Sequence, residues 1–497
     1  MLKKFIISID QGTTGTRVVL FDQKGRIYKS AYREIKQFFP NPGWVEHDPM
    51  EYITTLNQCF LEVMEKGNIK NEQIVAAGIA NQRETIVLWD RDTGKPLYNA
   101  IVWQCRRSAD ICEDLKKQGY SEIVSKKTGL LIDAYFSASK IKWLQDNVGG
   151  IREKIKNKKV LAGTVDSWII YNISGGKHHV TDYSNASRTL LLNINDLKWD
   201  DELLKIFEID RDILPDLRPS SGEIAYTDKK SFFGLEIPIT GDAGDQQAAL
   251  FGQACFKPGM AKNTYGTALA LMMNIGDKPV ISTNGLMTDL AWVIGGKPVY
   301  ALEGLIFNGG TVIQWLRDGL KIIKSAKEAD LCAEKVPDTG NVYIVPAFTG
   351  LGAPYWDMYA RGLIIGITRG TSREHICRAA LESIAYQSKD ILDAMQAVSG
   401  KKLDALRVDG GATKSDFLMQ FQADILKIKV EKPTITEMTA LGAAYLAGLG
   451  SGFWQSTSQL EKQWQISQVF EPSMQEEKIG VLYTNWQRAV ERSFKWA

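Results

Sequence analysis

The sequence predicts an α/β protein of two lobes, and three observations carry that prediction. At 497 residues the chain is too long for one ordinary core, so two large domains are the expectation. Apolar runs of strand character alternate with helically spaced ones, as in sheets covered by helices. Two turns of similar chemistry, about 250 residues apart, each join a pair of apolar strands through Gly and Thr, which suggests facing lobes. We place the division after residue 252, giving lobes 1–252 and 253–497.

The first turn lies between Phe5 and Asp22, two β-branched strands around Gly12-Thr13-Thr14-Gly15. Its glycines let backbone N–H groups crowd an anion, Thr13, Thr14 and Thr16 add hydroxyls, and Asp10 places a carboxylate where a phosphate-bound Mg²⁺ can sit. An ordinary glycine hairpin has the same outline. The second turn, Gly266-Thr267 within Lys262 to Asn274, favours the phosphate reading of both.

In order along the chain, Met50 to Lys66 has helical spacing, and residues 74 to 89 read as a strand, four polar residues (Asn81 to Glu84) and a second strand. Tyr98 to Arg107 reads as a strand whose charged tip reaches water. Helices and strands then alternate to Phe232–Leu250, where a strand enters a Gly/Asp turn and a helix begins. The second half predicts a helix opening at Gly309-Gly310 and running through Gln314, and a loop from Pro346 to Gly362. A helix over His375–Met395, an amphipathic helix from Asp416 and a last helix from about Lys478 follow.

The totals exclude several function classes. With 60 basic and 58 acidic residues the net charge is only +2, so nothing attracts nucleic acid. No apolar run approaches the ~20 residues that span a bilayer, and the start passes into the first strand without a cleavage site, so a cytoplasmic protein without membrane insertion is expected. Six cysteines without a Cys-x-x-Cys pair fit reduced, partly buried thiols, and four scattered histidines disfavour zinc.

Asp245 stands where a strand gives way to a helix, a common place for a plain N-cap. Asp242 in the same turn makes a cap alone redundant, so Asp245 is also a candidate to take the proton of an attacking hydroxyl. Arg83 and Glu84 read either as a surface ion pair or, because they interrupt an apolar strand pair, as buried groups satisfied by a small polyol. Trp103 and Tyr135 could cover the polyol's C–H face or simply pack. Asp409-Gly410-Gly411-Ala412 suits close approach of a ribose or adenine, and equally a plain connection. No Walker, Rossmann or protein-kinase motif is present.

With these residues in view, the chain resembles the FGGY carbohydrate kinases over nearly its whole length. The resemblance is carried by Asp10-Gln-Gly-Thr-Thr, Pro42 to Pro49, Asn81-Gln-Arg-Glu84, Ala100 to Arg107, Asn185-Ala-Ser-Arg188, Gly244-Asp-Gln-Gln247, Pro346-Ala-Phe, Arg407 to Gly411, and the two signature segments Tyr135–Asn147 and Gly362–Glu382. It implies the two-lobed actin/hexokinase/Hsp70 ATPase fold, a ribonuclease H-like domain in each lobe, and direct transfer of a phosphoryl group from ATP, with Mg²⁺, to glycerol. Carried over by position, Arg83, Glu84, Trp103, Tyr135, Asp245 and Gln246 would contact glycerol, with Asp245 as general base. Asp10 and Asp245 would face the metal. Thr13, Thr14, Arg17, Thr267, Gly310, Gln314 and Gly411 would contact nucleotide, and Ser415 stands where relatives place an adenine-contacting Asn. A homodimer or homotetramer is implied. The chain departs from the family at Ala268 and Ala270: the missing aromatic at 270 leaves one wall of the polyol pocket without a ring, so weaker glycerol binding or a broader polyol range is expected.

Overall fold

The computed structural model describes residues 3–282 and 284–497. The first hairpin forms as expected: β1 (Phe5–Gln11) pairs antiparallel with β2 (Gly15–Phe21), and β3 (Ile27–Glu34) extends the meander. Helix α1 (Pro49–Gly67) is capped by Asp48, whose carboxylate accepts the Met50 N–H at 2.8 Å, and it leads back to β4 (Ile74–Asn81), parallel to β1. Much later in sequence, β5 (Ser221–Tyr226) and β6 (Pro238–Gly244) pair antiparallel, and β6 lies parallel to β4. Helix α2 (Asp245–Gly252) follows directly.

The second half repeats this plan. β7 (Ala261–Tyr265), β8 (Leu269–Gly276) and β10 (Lys297–Ile306) form the meander, with β9 (Met287–Ile294) added outside β10. After α3 (Ala326–Ala333) and the long α4 (Arg373–Ser399), β11 (Ala405–Asp409) joins parallel to β7. Helix α5 (Asp416–Leu426) leads to β12 (Lys429–Pro433), parallel to β11; α6 (Met438–Gly450) and β13 (Ile466–Phe470) follow. All thirteen strands form one mixed sheet in the order β13-β12-β11-β7-β8-β10-β9-β5-β6-β4-β1-β2-β3. With β5, β9 and β13 set aside, each half runs third, second, first, fourth, fifth (β3-β2-β1-β4-β6 and β10-β8-β7-β11-β12), the ribonuclease H-like order. Within the sheet, the strand pairing that joins the halves among the described residues is Ser221 with Ile294.

Helix α6 belongs late in sequence but packs on β4, β6 and β1 of the first half and along α2. Glycines permit that approach: a Cβ on Gly442 would meet the Ala248 carbonyl well inside contact distance, and one on Gly78 would meet that of Ala443. One hydrophobic cluster accordingly mixes Ile6, Ala76 and Ala243 with Met272, Ala301, Leu441 and Ala447.

Two details differ from the sequence reading. Within Tyr98–Arg107 only Ala100–Ile101 is strand, part of a small four-stranded sheet, and the expected wet tip is half wrong. Arg106 is exposed, but Arg107 is buried against Trp44, 3.9 Å from its guanidinium carbon to the ring centroid, and bonds Glu46 at 2.6 Å. An amphipathic cation stacked on an aromatic and paired with an acid can leave water. The C-terminal helix covers Glu476–Ser493, and all six cysteines are buried and unpaired. Among the described residues no helix is long and apolar enough to cross a membrane.

Candidate active site

Parallel pairing decides where the chemistry collects. β1, β4 and β6 end level with one another, Gln11 and Gly244 both in register with Asn81. The hairpin turn, the polar turn after Asn81 and the start of α2 therefore emerge from one sheet edge, the carboxyl ends of parallel strands where α/β folds place ligands. Gln82 ties two of them, its backbone N–H donating to the Gln11 carbonyl and its amide to that of Gly12 at 3.2 Å.

Asp245 is the first residue of α2, with Gly244 as the cap residue. Its Oδ1 accepts the Gln246 N–H at 2.7 Å and lies 3.3 Å from Arg83 Nε; the side chain is 29% exposed, so it opens into the cleft instead of serving as a cap alone. Burial raises the Asp245 carboxyl, with Arg83 and Lys262 opposing. Asp10 faces the same space. Burial and the nearby Asp245 charge push its carboxyl up to about 7. Two acids at one sheet edge, the Asp245 side chain 29% exposed, could hold a divalent cation.

Asp242 does not share this role, which corrects the redundancy seen in sequence. Asp242 lies inside β6 and Asp245 begins α2, and the two side chains go to different surroundings. Asp242 is fully buried with Asp166 and Asp182, carboxylate oxygens within 4.8 Å of one another, and burial raises it well above the usual carboxylate range.

Arg83 and Glu84 are 3% and 1% exposed, so the surface-pair reading fails. Glu84 sits at φ 60°, a left-handed backbone that costs a non-glycine residue and recurs at ligand sites. Glu84 Oε1 accepts from Arg188 Nε at 2.6 Å. Arg83 reaches across to the second half, where Glu303 receives Nη2 at 2.5 Å and Nη1 at 3.1 Å. Arg188 Nη1 joins it, 2.7 Å from both Asp289 and Glu303. Burial would raise Glu303, but Arg188 and Arg83 outweigh it and hold it at about 2; burial lifts Asp289 to about 7 despite Arg188. Arg188, Asp289 and Glu303 carried no role in the sequence reading. A signal existed: Asp289 and Glu303 are lone acids inside apolar strands, where a charge demands a partner.

The two aromatics stand together, Trp103 and Tyr135 centroids 5.5 Å apart and edge to face, both half-buried. Trp103 Nε1 donates to Thr13 Oγ1 at 2.8 Å, joining this wall to the first turn. Gln246 accepts from the buried Lys262, which also bonds Thr264 Oγ1 at 3.0 Å and the Ala270 carbonyl at 3.2 Å. Ala270 is half-buried, while its neighbour Leu269 is buried against Gly309.

On the other half, Thr267, Gly310, Gln314, Gly411 and Ser415 line one cavity of about 740 Å³ with Tyr265, Leu381 and Phe417. The Gly309 N–H donates to the Thr267 carbonyl at 3.0 Å, and the Gly310 N–H to that of Gly266 at 3.0 Å, packing the second turn against the start of the next helix. Ser415 caps α5, accepting from the Leu418 N–H at 3.1 Å, and its hydroxyl donates to Asp330. Thr13, Thr14 and Arg17 lie outside this cavity on the first hairpin; Arg17 pairs with Glu437 at 2.5 Å and Thr14 is exposed.

Comparison with known proteins agrees. Residues 5–252 match the N-terminal domain of the FGGY family of carbohydrate kinases, and residues 261–451 its C-terminal domain. Glycerol kinase of Caldanaerobacter subterraneus is 59% identical, each chain covered in full, and glycerol kinase 2 of Thermotoga maritima is 58% identical over 99% of each. The crystal structure of Plasmodium falciparum glycerol kinase with ADP superposes with a TM-score of 0.94 at 40% identity, covering 99% of this chain and 98% of that one. Matched domain by domain, and with the sheet plan of one half repeated in the other, the chain belongs to the FGGY family of carbohydrate kinases.

Proposed function

We propose that the protein transfers the terminal phosphoryl group of ATP to a terminal hydroxyl of glycerol, forming sn-glycerol 3-phosphate and ADP. The observation that carries this is the position of Asp245, a partly exposed carboxylate 3.3 Å from a buried guanidinium and close enough to Asp10 at the same sheet edge for its charge to raise that acid. Full-length similarity to glycerol kinases supports glycerol as the acceptor.

In this reading the 740 Å³ cavity takes the adenosine, and the turns at Gly12 and Gly266 take the phosphates with backbone N–H groups and threonine hydroxyls. Arg83, Glu84, Tyr135, Trp103 and Gln246 orient the polyol. Asp245 accepts the hydroxyl proton as that oxygen bonds to the γ-phosphorus and the bond from phosphorus to the ADP oxygen breaks. Asp10 and Asp245 would hold Mg²⁺, which supplies charge neutralisation at the phosphates. Approach of the two halves excludes water, which suppresses ATP hydrolysis. The lobes divide after residue 252, apart from α6, and work as a homodimer or homotetramer in the cytoplasm.

A second reading, phosphorylation of another polyol or a ketose, draws on Ala270, whose methyl leaves room in the cleft. Identification of the product after incubation with ATP, Mg²⁺ and glycerol, against a panel of sugars and with Asp245→Asn as control, tests both. Phosphorylation of a sugar in preference to glycerol would overturn the first reading.

A further inference from the structure

Among the buried polar atoms of the cleft, Arg83 Nε stands out because it is the one guanidinium nitrogen of that side chain left without a hydrogen bond. The other two are spent: Nη2 on Glu303 Oε1 at 2.5 Å, and Nη1 on Glu303 Oε2 at 3.1 Å and Gln247 Oε1 at 3.3 Å. Nε faces two acceptors without bonding either, Asp245 Oδ1 at 3.3 Å and Glu84 Oε1 at 3.8 Å. A buried N–H without an acceptor is costly, and this one stands beside Asp245, where a substrate oxygen would complete it.

The geometry is imposed by Glu303. Arg83 has several rotatable bonds and five donors, and nothing in its own turn decides which donor faces Asp245. Glu303, fully buried on β10, takes the Nη edge in a two-point grip, and Arg188 Nη1, 2.7 Å from Glu303 Oε2, fixes the carboxylate in turn. Gln247, one residue beyond Gln246 on α2, braces the same edge. The Nε–H is thereby the donor presented beside the carboxylate at 245.

We infer that Glu303, a residue of the second half, is a positioning residue of the polyol site: by holding the Nη edge of Arg83 it reserves the Nε–H for a substrate hydroxyl. The inference rests on the glycerol kinase reading above. It also makes the polyol subsite depend on contact between the halves, since Arg83 and Glu84 come from one and Glu303 from the other.

The test is steady-state kinetics of Glu303→Gln, which keeps the shape but gives the guanidinium one neutral oxygen and one competing NH₂. A donor that binds substrate and transition state alike affects KM and spares kcat, so we expect the glycerol KM to rise on the order of tenfold, with kcat and the ATP KM within about threefold. A role confined to folding would instead lower kcat through loss of active protein at unchanged KM, and that result overturns the inference. Gln247→Met, which releases one Nη1 contact and fills a similar volume, supplies the test if the first variant does not fold: the glycerol KM rises by roughly two- to fivefold. Unchanged glycerol KM in the folded variants also overturns it. If wild-type protein makes sn-glycerol 3-phosphate in these assays, such failures count against Glu303 alone; if it makes none, the functional reading itself falls.

Discussion

Replacing Arg188 with Met should be among the most destabilising single changes in this chain. Arg188 is fully buried and holds Glu84 at 2.6 Å, Asp289 at 2.7 Å and Glu303 at 2.7 Å. Methionine fills much of the volume but leaves three buried carboxylates facing one guanidinium, Arg83. Removing one partner from a buried ion pair costs about 3–5 kcal/mol, because the remaining charge stays desolvated. For folding units of this size 1 kcal/mol moves Tm by roughly 2–4 °C, so a fall of roughly 6–20 °C is expected at neutral pH. The sign with pH follows from the acids. In the parent, Glu303 is held at about 2, so its contribution is present above the ordinary glutamate range and fades as pH falls towards 2. In the variant it loses that support, and Asp289, already lifted to about 7 by burial, rises further. Raised acids bind protons more tightly folded than unfolded, so the variant's deficit is largest above pH 7 and shrinks towards pH 4. Differential scanning calorimetry of both proteins across that range measures it. A Tm within about 2 °C of the parent at pH 8, or a deficit that grows on acidification, would refute the electrostatic account of this cluster.

Asp245→Asn should lower kcat by about 10²- to 10⁴-fold with the glycerol KM little changed, since the base acts on a proton that moves in the transition state; initial rates with a coupled ADP assay check this. Ligand-free Asp10→Asn should be more stable than the parent at pH 8, because the folded parent must ionise a carboxyl lifted to about 7 that the unfolded chain ionises near 4; the gap should close by about pH 4, and Mg²⁺ with ATP should stabilise the parent more than the variant in thermal melts. Gly442→Ala places a methyl against the Ala248 carbonyl and should cost about 1–3 kcal/mol by forcing α6 from α2, read from thermal unfolding. Ala270→Phe should tighten glycerol binding and narrow the polyol range by ~10- to 200-fold, and identical KM values and polyol profiles would remove that idea.

Much of the fold and several site elements were legible because they are local. A Gly/Thr turn between β-branched runs specifies a hairpin wherever it lies, and the two hairpins that carry Asp10, Thr13 and Thr267 were placed on that basis. The four polar residues after Ala80 pointed to buried charge, because charge inside an apolar strand pair needs a partner, and Arg83 and Glu84 are buried. The partner itself could not be read: Glu303 lies 220 residues from Arg83, and their meeting depends on how β10 packs across the sheet.

What the sequence determined by itself was periodicity and turn chemistry, which depend on neighbours within a few residues, and the count of lobes, which follows from chain length and the repeated turn. Only the tertiary structure decided that Asp245 opens into the cleft while Asp242 turns away, that Arg107 leaves solvent, and that α6 returns to cover the first half. Those outcomes depend on which distant strands lie in register and which glycines allow backbones to touch, and no local pattern of residue types encodes either.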